Sequence, residues 1–446
     1  MKHKKFDLII DKKVSSFRKT IEVDPDKSTS IRFFLIGSIS QKISFGKNIL
    51  ESQDVRSCIK CLKKLGVKIF KRKNIYSVYG KGLGSLSAKK NINLNFGNSG
   101  TLARLIIGIL STTPNVTATV KGDHSLNKRS MESVVKLMSN FGADFYPKEK
   151  FFFPLKLISS NMPIGIKYNA GVSAQLKSAV ILAGLNSNGN TEIIEHHRSR
   201  DHTENMLLKN KKAIKIKNKK RKIITIFGKN NLNPINLLVP GDPSSAAFFV
   251  ALTLLKKNSK IRIKNVGLNP TRIGFYDLLK KHGAKIKFKN LKKENNETKG
   301  DIIAEYCKLK PIQSAKKYYV NSTDEYPILF VIAAMTKGIS SFKGIKDLAN
   351  KESNRIREMQ NILKQIGVKS FAMKNGLKIY GKGLIDAKKK IITVPNLGDH
   401  RICMSAFVLA ALTGAKTKIK NFETVFTSSP SFLKIMKKLN AKYQIQ

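Results

Sequence analysis

Six segments of one design recur along the 446 residues of this chain: a strand-like apolar run, a turn carrying Gly, Ser, Asp or Lys, then an apolar helix. The turns are Asp26-Lys27-Ser28, Gly97-Asn98-Ser99-Gly100-Thr101, Val172-Ser173-Ala174-Gln175, Pro240-Gly241-Asp242-Pro243-Ser244-Ser245, Asp324-Glu325-Tyr326-Pro327 and Gly398-Asp399-His400-Arg401. Counted from positions 27, 98, 173, 242, 324 and 399, the gaps are 71, 75, 69, 82 and 75 residues, the mark of a repeated unit. The chain therefore reads as six copies of one α/β module, divided three and three between two domains.

A second landmark keeps the same beat. A helix ending in Gly and followed by a strand is expected at Gly66, Gly142, Gly283 and Gly367, with Asn440 closing the last copy. Gly and Asn suit the left-handed residue that ends a helix. The third copy has Lys209-Asn210-Lys211-Lys212 instead and has drifted.

The length allows two domains with real cores. No apolar stretch approaches the 18 or so residues of a membrane span. The basic start Met1 to Lys5 precedes a run too short for a signal-peptide core, so a cytoplasmic address is expected. Cys58 and Cys61 form a lone C-x-x-C at helical spacing with no second pair to complete a zinc site, and read as structural. The net charge of +55 would ordinarily point to nucleic acid. Here it is spread along the whole chain and is carried by 70 Lys against 14 Arg (84 − 14 = 70), which reads as a solvated Lys-rich surface that also draws in small anions.

Scarcity makes the arginines informative, because a planar two-pronged donor is what Lys cannot supply. Arg32, Arg104, Arg129, Arg200, Arg355 and Arg401 lie in or beside the recurring turns, a pattern that predicts a site for carboxylates and phosphates. Helix N-termini gathered on one face of a domain add free N–H groups and partial positive charge. Gly100 would let a ligand lie against a helix start. Ser28 and Ser173 suit either N-caps or ligand contacts. Asp324-Glu325, before an apolar helix Pro327 to Met335, reads alone as capping. Lys351-Glu352-Ser353-Asn354-Arg355, before a helix Ile356 to Ile366, reads alone as a surface ion pair. With Lys27 these groups supply the carboxylates and amine that proton transfer needs. His202 and His400 are alternative acid/base candidates, but each sits in an Asp-His pair that reads as orienting a loop.

These residues, together with Gly122-Asp123-His124-Ser125-Leu126-Asn127-Lys128-Arg129, Ser199-Arg200-Asp201-His202-Thr203-Glu204, Asn269-Pro270-Thr271-Arg272 and the Ser173-Ala174-Gln175-Leu176-Lys177 run, resemble the 5-enolpyruvylshikimate-3-phosphate synthases, of the class II kind. The resemblance runs in order through nearly the whole chain. It implies an α/β fold of two domains, the inside-out α/β barrel of six βαβαββ repeats. Residues 1–24 plus 238–446 would form the phosphoenolpyruvate side with the catalytic carboxylates, and 25–237 the shikimate 3-phosphate side, with ligands in the cleft between. It implies enolpyruvyl transfer from phosphoenolpyruvate to the 5-hydroxyl of shikimate 3-phosphate, with no metal or cofactor, by a cytoplasmic monomer without nucleic-acid or membrane partners.

By the same resemblance Lys27, Ser28, Arg32, Ser173, Ala174, Gln175, Arg200, Asp324 and Lys351 would hold shikimate 3-phosphate. Lys27, Gly100, Arg129, Gln175, Arg355 and Arg401 would hold phosphoenolpyruvate. Asp324, Glu352 and Lys27 would be catalytic, and Arg104 structural. The intact Gly100 implies inhibition by glyphosate. The chain departs from the family's pattern at Asp24-Pro25, Ser130, Asn354, Thr427 and Ser428-Ser429-Pro430. A UDP-N-acetylglucosamine enolpyruvyl transferase is the nearest rival, but it uses a loop Cys in its first half, and no Cys lies between Cys61 and Cys307 here. A nucleic-acid binder would use the strip Lys209 to Lys222, which otherwise reads as a solvated hairpin.

Overall fold

The structure is a computed structural model that describes residues 5–87, 91–218 and 220–446. The basic start Met1 to Lys4 and Lys219 of the basic strip lie outside the described residues. The chain divides into two compact units, one of residues to Asp24, Pro240–Lys293 and Thr298–Gln446, the other of Pro25–Val239 and Glu294–Glu297. Each has its own hydrophobic core.

Among the described residues, six four-stranded sheets carry the repeat. In the second copy Ile92–Asn95 lies parallel to Thr117–Lys121, which pairs antiparallel with Leu155–Ile158, itself paired with Asp144–Tyr146. The third copy repeats this order with Lys167–Ala170, Asn190–Glu195, Lys222–Phe227 and Ile214–Asn218. Three sheets borrow a strand from far along the chain. Asn236–Leu238 lies parallel to Ile43–Lys47, Arg18–Ile21 lies parallel to Lys260–Gly267, and Leu8–Ile10 lies antiparallel to Lys416–Ile419.

Each copy also holds one buried helix: α1 (Lys27–Ile39), α2 (Gly100–Ser111), α3 (Ala174–Gly184), α4 (Pro243–Leu255), α5 (Tyr326–Ala334) and α6 (His400–Thr413). Every residue of α4, α5 and α6 is buried. A helix buried on all sides lies within a core, whereas Gln53–Lys64 and Arg355–Gln365 bury an apolar face and leave a charged face outward. A Cβ at Gly108 would stand 2.5 Å from the Ala179 carbonyl oxygen, so the missing side chain is what lets α2 and α3 cross so closely. Their starts also meet, through Gln175 and Thr101.

The expected helix stops are in place. Gly66, Gly142, Gly283, Gly367 and Asn440 all have φ between +67° and +90°. Cys58 and Cys61 are core residues of Gln53–Lys64, and burial pushes the Cys61 thiol up to about 12, so both behave as small apolar groups.

Several local expectations are corrected. The helices expected from Pro327 and Ile356 begin at Tyr326 and Arg355, so Arg355 is itself the first helical residue. The basic strip is a hairpin, Ile214–Asn218 with Lys222–Phe227, but Lys222 is buried against Glu204 and Glu195 and is not solvated.

Candidate functional site

Five of the six central helices begin with a side-chain cap. Asp26 accepts from Thr29 N at 2.6 Å, Ser99 from Leu102 N at 3.2 Å, Ser173 from Leu176 N at 3.4 Å, Asp242 from Ser244 N at 2.7 Å and Asp399 from Arg401 N at 2.9 Å. Glu325 makes no side-chain cap for α5, and Asp324 lies in the 3₁₀ turn Thr323–Glu325, so the capping read for this pair is absent. Ser173 is a cap as its residue type allows. Ser28 is not, because Asp26 does that work, and Ser28 instead accepts from Arg32 Nη1.

In the unit of residues 25–239, Arg32 is locked in place. Its Nε donates to Thr203 Oγ1 at 2.8 Å and its Nη2 to Ser178 Oγ at 3.0 Å, while Ser178 and Thr203 are themselves 2.8 Å apart. Lys27 pairs with the buried Asp54 at 3.1 Å. Around Gly100 three side chains converge. A Cβ there would meet Arg104 Nη1 at 2.9 Å and Arg129 Nη1 at 3.3 Å. Arg104 also donates to Gln175 Oε1 at 3.0 Å, and Gln175 Nε2 donates to Thr101 Oγ1 at 2.9 Å. Arg104 thus fixes Gln175 beside the Gly100 turn. Arg129 is held by Asn98 and by Ser125 Oγ.

The other unit gathers a second set. Arg355 is 1% exposed and donates from Nε to Asp399 Oδ2 at 2.9 Å and from Nη2 to Glu352 Oε2 at 2.6 Å, with Asp324 Oδ1 3.7 Å from its Nη1. Burial alone would lower the basicity of this guanidinium, but Asp399 and Glu352 outweigh it and raise it, so Arg355 stays cationic. Arg355 Nη1, and Nε and Nη1 of the buried Arg401, are buried donors without a hydrogen-bond partner among the described residues. Each such group costs about 1–3 kcal/mol, a cost that a carboxylate or phosphate there would relieve.

Lys351 directly precedes Glu352 of this set. It pairs with Asp347, which also accepts from Tyr319 Oη at 2.7 Å. Arg272 of the Asn269-Pro270-Thr271-Arg272 run pairs with the α4 cap Asp242 at 2.9 Å, which makes that motif part of the fold. His202 meets Glu297 at 2.8 Å, and Asn205 donates to the same carboxylate at 3.0 Å.

The departures at Asn354, Ser130, Asp24 and Ser429 have local partners. Asn354 caps the helix Arg355–Gln365 by accepting from Arg357 N at 3.1 Å, and Ser130 Oγ accepts from Glu132 N at 3.2 Å. Asp24 and Ser429, 405 residues apart in sequence, meet, Ser429 Oγ donating to Asp24 Oδ2 at 2.9 Å and Ser431 N to the same oxygen at 3.0 Å. Two departures are therefore one contact.

Sequence reasoning missed two features. In the sequence Asp399 stands out only as part of the Gly398-Asp399-His400-Arg401 turn, yet its carboxylate caps α6 and orients Arg355. Its place two residues before a scarce Arg was the available signal. Lys177, Glu195, Glu204 and Lys222 form a buried charge cluster with Lys177–Glu195 at 2.7 Å and Lys177–Glu204 at 2.8 Å. Only the oddity of a Lys inside the apolar run of α3 hinted at it.

With the geometry in hand, comparison with known proteins is specific. The model for EPSP synthase (3-phosphoshikimate 1-carboxyvinyltransferase) matches residues 12–436. The 3-phosphoshikimate 1-carboxyvinyltransferase of Zymomonas mobilis subsp. mobilis is 36% identical over 443 residues, 98% of this chain and 97% of that protein. That of Bacillus subtilis is 36% identical over 433 residues, 96% of this chain and 99% of that one. The solved EPSP synthase of Acinetobacter baumannii aligns with a TM-score of 0.84 at 31% identity, across 99% of this chain and 100% of that chain. The enolpyruvyl transferase NikO of Streptomyces tendae, at 12% identity and a TM-score of 0.77 across 99% of both chains, shares the fold.

Proposed function

This chain belongs to the EPSP synthase (3-phosphoshikimate 1-carboxyvinyltransferase) family, and on that premise we propose which residues carry its reaction. The enzyme transfers the enolpyruvyl group of phosphoenolpyruvate to the 5-hydroxyl of shikimate 3-phosphate and releases phosphate, a step of the shikimate pathway toward aromatic amino acids. In the addition half the hydroxyl oxygen bonds to C2 of phosphoenolpyruvate as the hydroxyl proton leaves and the methylene gains a proton. In the elimination half that methyl group loses a proton and the C2–O bond to phosphate breaks.

Asp324 takes the hydroxyl proton in this reading, and Glu352 and Lys27 deliver and remove the methyl proton. Phosphoenolpyruvate, with its carboxylate and phosphate, is held by Lys27, Gly100, Arg129, Gln175, Arg355 and Arg401. The missing side chain at Gly100 leaves space for the anion against the helix start, and the paired donors of the arginines match planar oxygens. Shikimate 3-phosphate is held by Lys27, Ser28, Arg32, Ser173, Ala174, Gln175, Arg200, Asp324 and Lys351. The same reading makes the enzyme a cytoplasmic monomer that acts on small anions and has no nucleic-acid or membrane partner.

The observation that carries these roles is the set of buried donors without a hydrogen-bond partner among the described residues, on Arg355, which is paired with the Asp324 and Glu352 carboxylates, and on Arg401, whose backbone N–H donates to the Asp399 that also holds Arg355. Cations held next to acids polarise the acceptor carbon and keep the acids poised for proton transfer. Arg355→Lys and Arg401→Lys keep the charge and lose the fork. Each is expected to raise KM for phosphoenolpyruvate by roughly tenfold or more while calorimetric affinity for shikimate 3-phosphate stays unchanged. Equal losses for both substrates would contradict the assignment.

A further inference from the structure

Lys177, Glu195, Glu204 and Lys222 have no place in the reaction as assigned, yet all four are buried. Lys177 Nζ lies 2.7 Å from Glu195 and 2.8 Å from Glu204, and Lys222 Nζ lies 3.3 Å from Glu204 and 3.7 Å from Glu195. Two positive and two negative groups cancel. Taking four charges out of water is expensive, and apolar side chains of similar volume commonly serve stability as well or better.

Its hydrogen bonds are concentrated on one residue. Ser199 donates to Glu195 Oε1 from its backbone N at 2.8 Å and from its hydroxyl at 2.7 Å, and its carbonyl accepts from Lys177 Nζ at 3.3 Å. Every polar group of Ser199 is thus tied to the cluster, whereas His196, His197 and Arg198 before it are exposed. Arg200 follows directly. On the far side of Arg200, Glu204 is the neighbour of Thr203, whose hydroxyl receives Arg32 Nε. Lys177 in turn sits one helical turn after Ser173, with its backbone N donating to the Ser173 carbonyl at 3.1 Å.

We propose that this four-charge cluster is a positioning device for shikimate 3-phosphate, holding Ser199 and Thr203 so that Arg200 and Arg32 are presented together with the start of α3. The proposal rests on the assignment of Arg200 and Arg32 to that substrate. Burial favours loss of charge at Lys177, but Glu204 and Glu195 reverse this and raise its pKa, while Lys177 overcomes burial to lower that of Glu195. Each partner of the Lys177–Glu195 pair thus favours the charged form of the other.

The test is a double-variant cycle on the full chain with Glu195→Gln and Arg200→Ala, reading KM for each substrate, kcat, and the calorimetric Kd of shikimate 3-phosphate. Glu195→Gln is expected to raise KM and Kd for shikimate 3-phosphate roughly tenfold with kcat and KM for phosphoenolpyruvate within about twofold. Because its effect runs through Arg200, the double variant should bind no worse than Arg200→Ala alone. Ser199→Ala removes one hydrogen bond and no charge, and carries the same cycle with a smaller shift should the glutamine variant fail to fold. Additive losses, or equal losses for both substrates, would overturn the proposal. Unchanged affinity in Arg200→Ala would instead overturn the substrate assignment of Arg200, and the clamp with it.

Discussion

Arg355 Nε and the Arg401 backbone N–H both donate to the carboxylate of Asp399, each at 2.9 Å. One buried acid therefore orients one guanidinium and caps the helix that begins with the residue before the other. Neither arginine can shift without breaking a charge-assisted bond.

Replacing Asp399 by Asn keeps an oxygen for the cap and removes the charge. Hydrogen bonds to charged groups are worth about 1.5–3 kcal/mol, so kcat/KM for phosphoenolpyruvate should fall roughly tenfold to a hundredfold. Steady-state kinetics with each substrate varied in turn checks this, and a loss confined to shikimate 3-phosphate would contradict it.

A methyl group at Gly100 would displace the Arg104 and Arg129 guanidinium groups, whose Nη1 atoms would stand 2.9 Å and 3.3 Å from it. The wild-type enzyme is expected to be inhibited by glyphosate in competition with phosphoenolpyruvate. In Gly100→Ala both the phosphoenolpyruvate KM and the inhibition constant should rise. Unchanged inhibition in that variant would place the inhibitor elsewhere.

Asp324→Asn and Glu352→Gln remove proton acceptors with little change in volume. A positioned acid or base contributes roughly 10²- to 10⁴-fold, so kcat should fall by that order while shikimate 3-phosphate affinity changes little. Near-normal turnover in both variants would remove these residues from the chemistry.

Burial raises the pKa of Asp24 above its ordinary 3.8, against the pull of the Ser431 and Ser429 hydrogen bonds. The folded state then binds this proton more tightly than the unfolded state does. Its contribution to stability is complete below the ordinary pKa and is lost as pH rises through the folded one. Both hydrogen bonds end on the same oxygen, which an Asn can supply. Asp24→Asn is expected to raise the thermal midpoint at neutral pH and to lose that advantage as pH falls below the carboxylate range, as measured by calorimetry across pH. A lower midpoint at neutral pH would show that the charge itself is needed.

The module count, the buried helices and the helix stops at Gly66, Gly142, Gly283 and Gly367 were legible because each depends on a few adjacent residues. The borrowed strands Arg18–Ile21 and Leu8–Ile10 were not marked, since a short strand carries no local sign of which distant strand it joins. Scarcity of Arg found Arg355 and Arg401, whose guanidinium groups the structure buries with unsatisfied donors. It could not find Asp399 or the Lys177 cluster, because which acid meets which base is decided by packing. Asp24 and Ser429 looked like two separate losses for the same reason.

The most direct measurement is phosphate release from the purified enzyme with shikimate 3-phosphate and phosphoenolpyruvate together and with each omitted in turn. The account predicts one phosphate released per shikimate 3-phosphate consumed, and none when either substrate is absent. Absence of release from folded protein, or release from phosphoenolpyruvate alone, would contradict it.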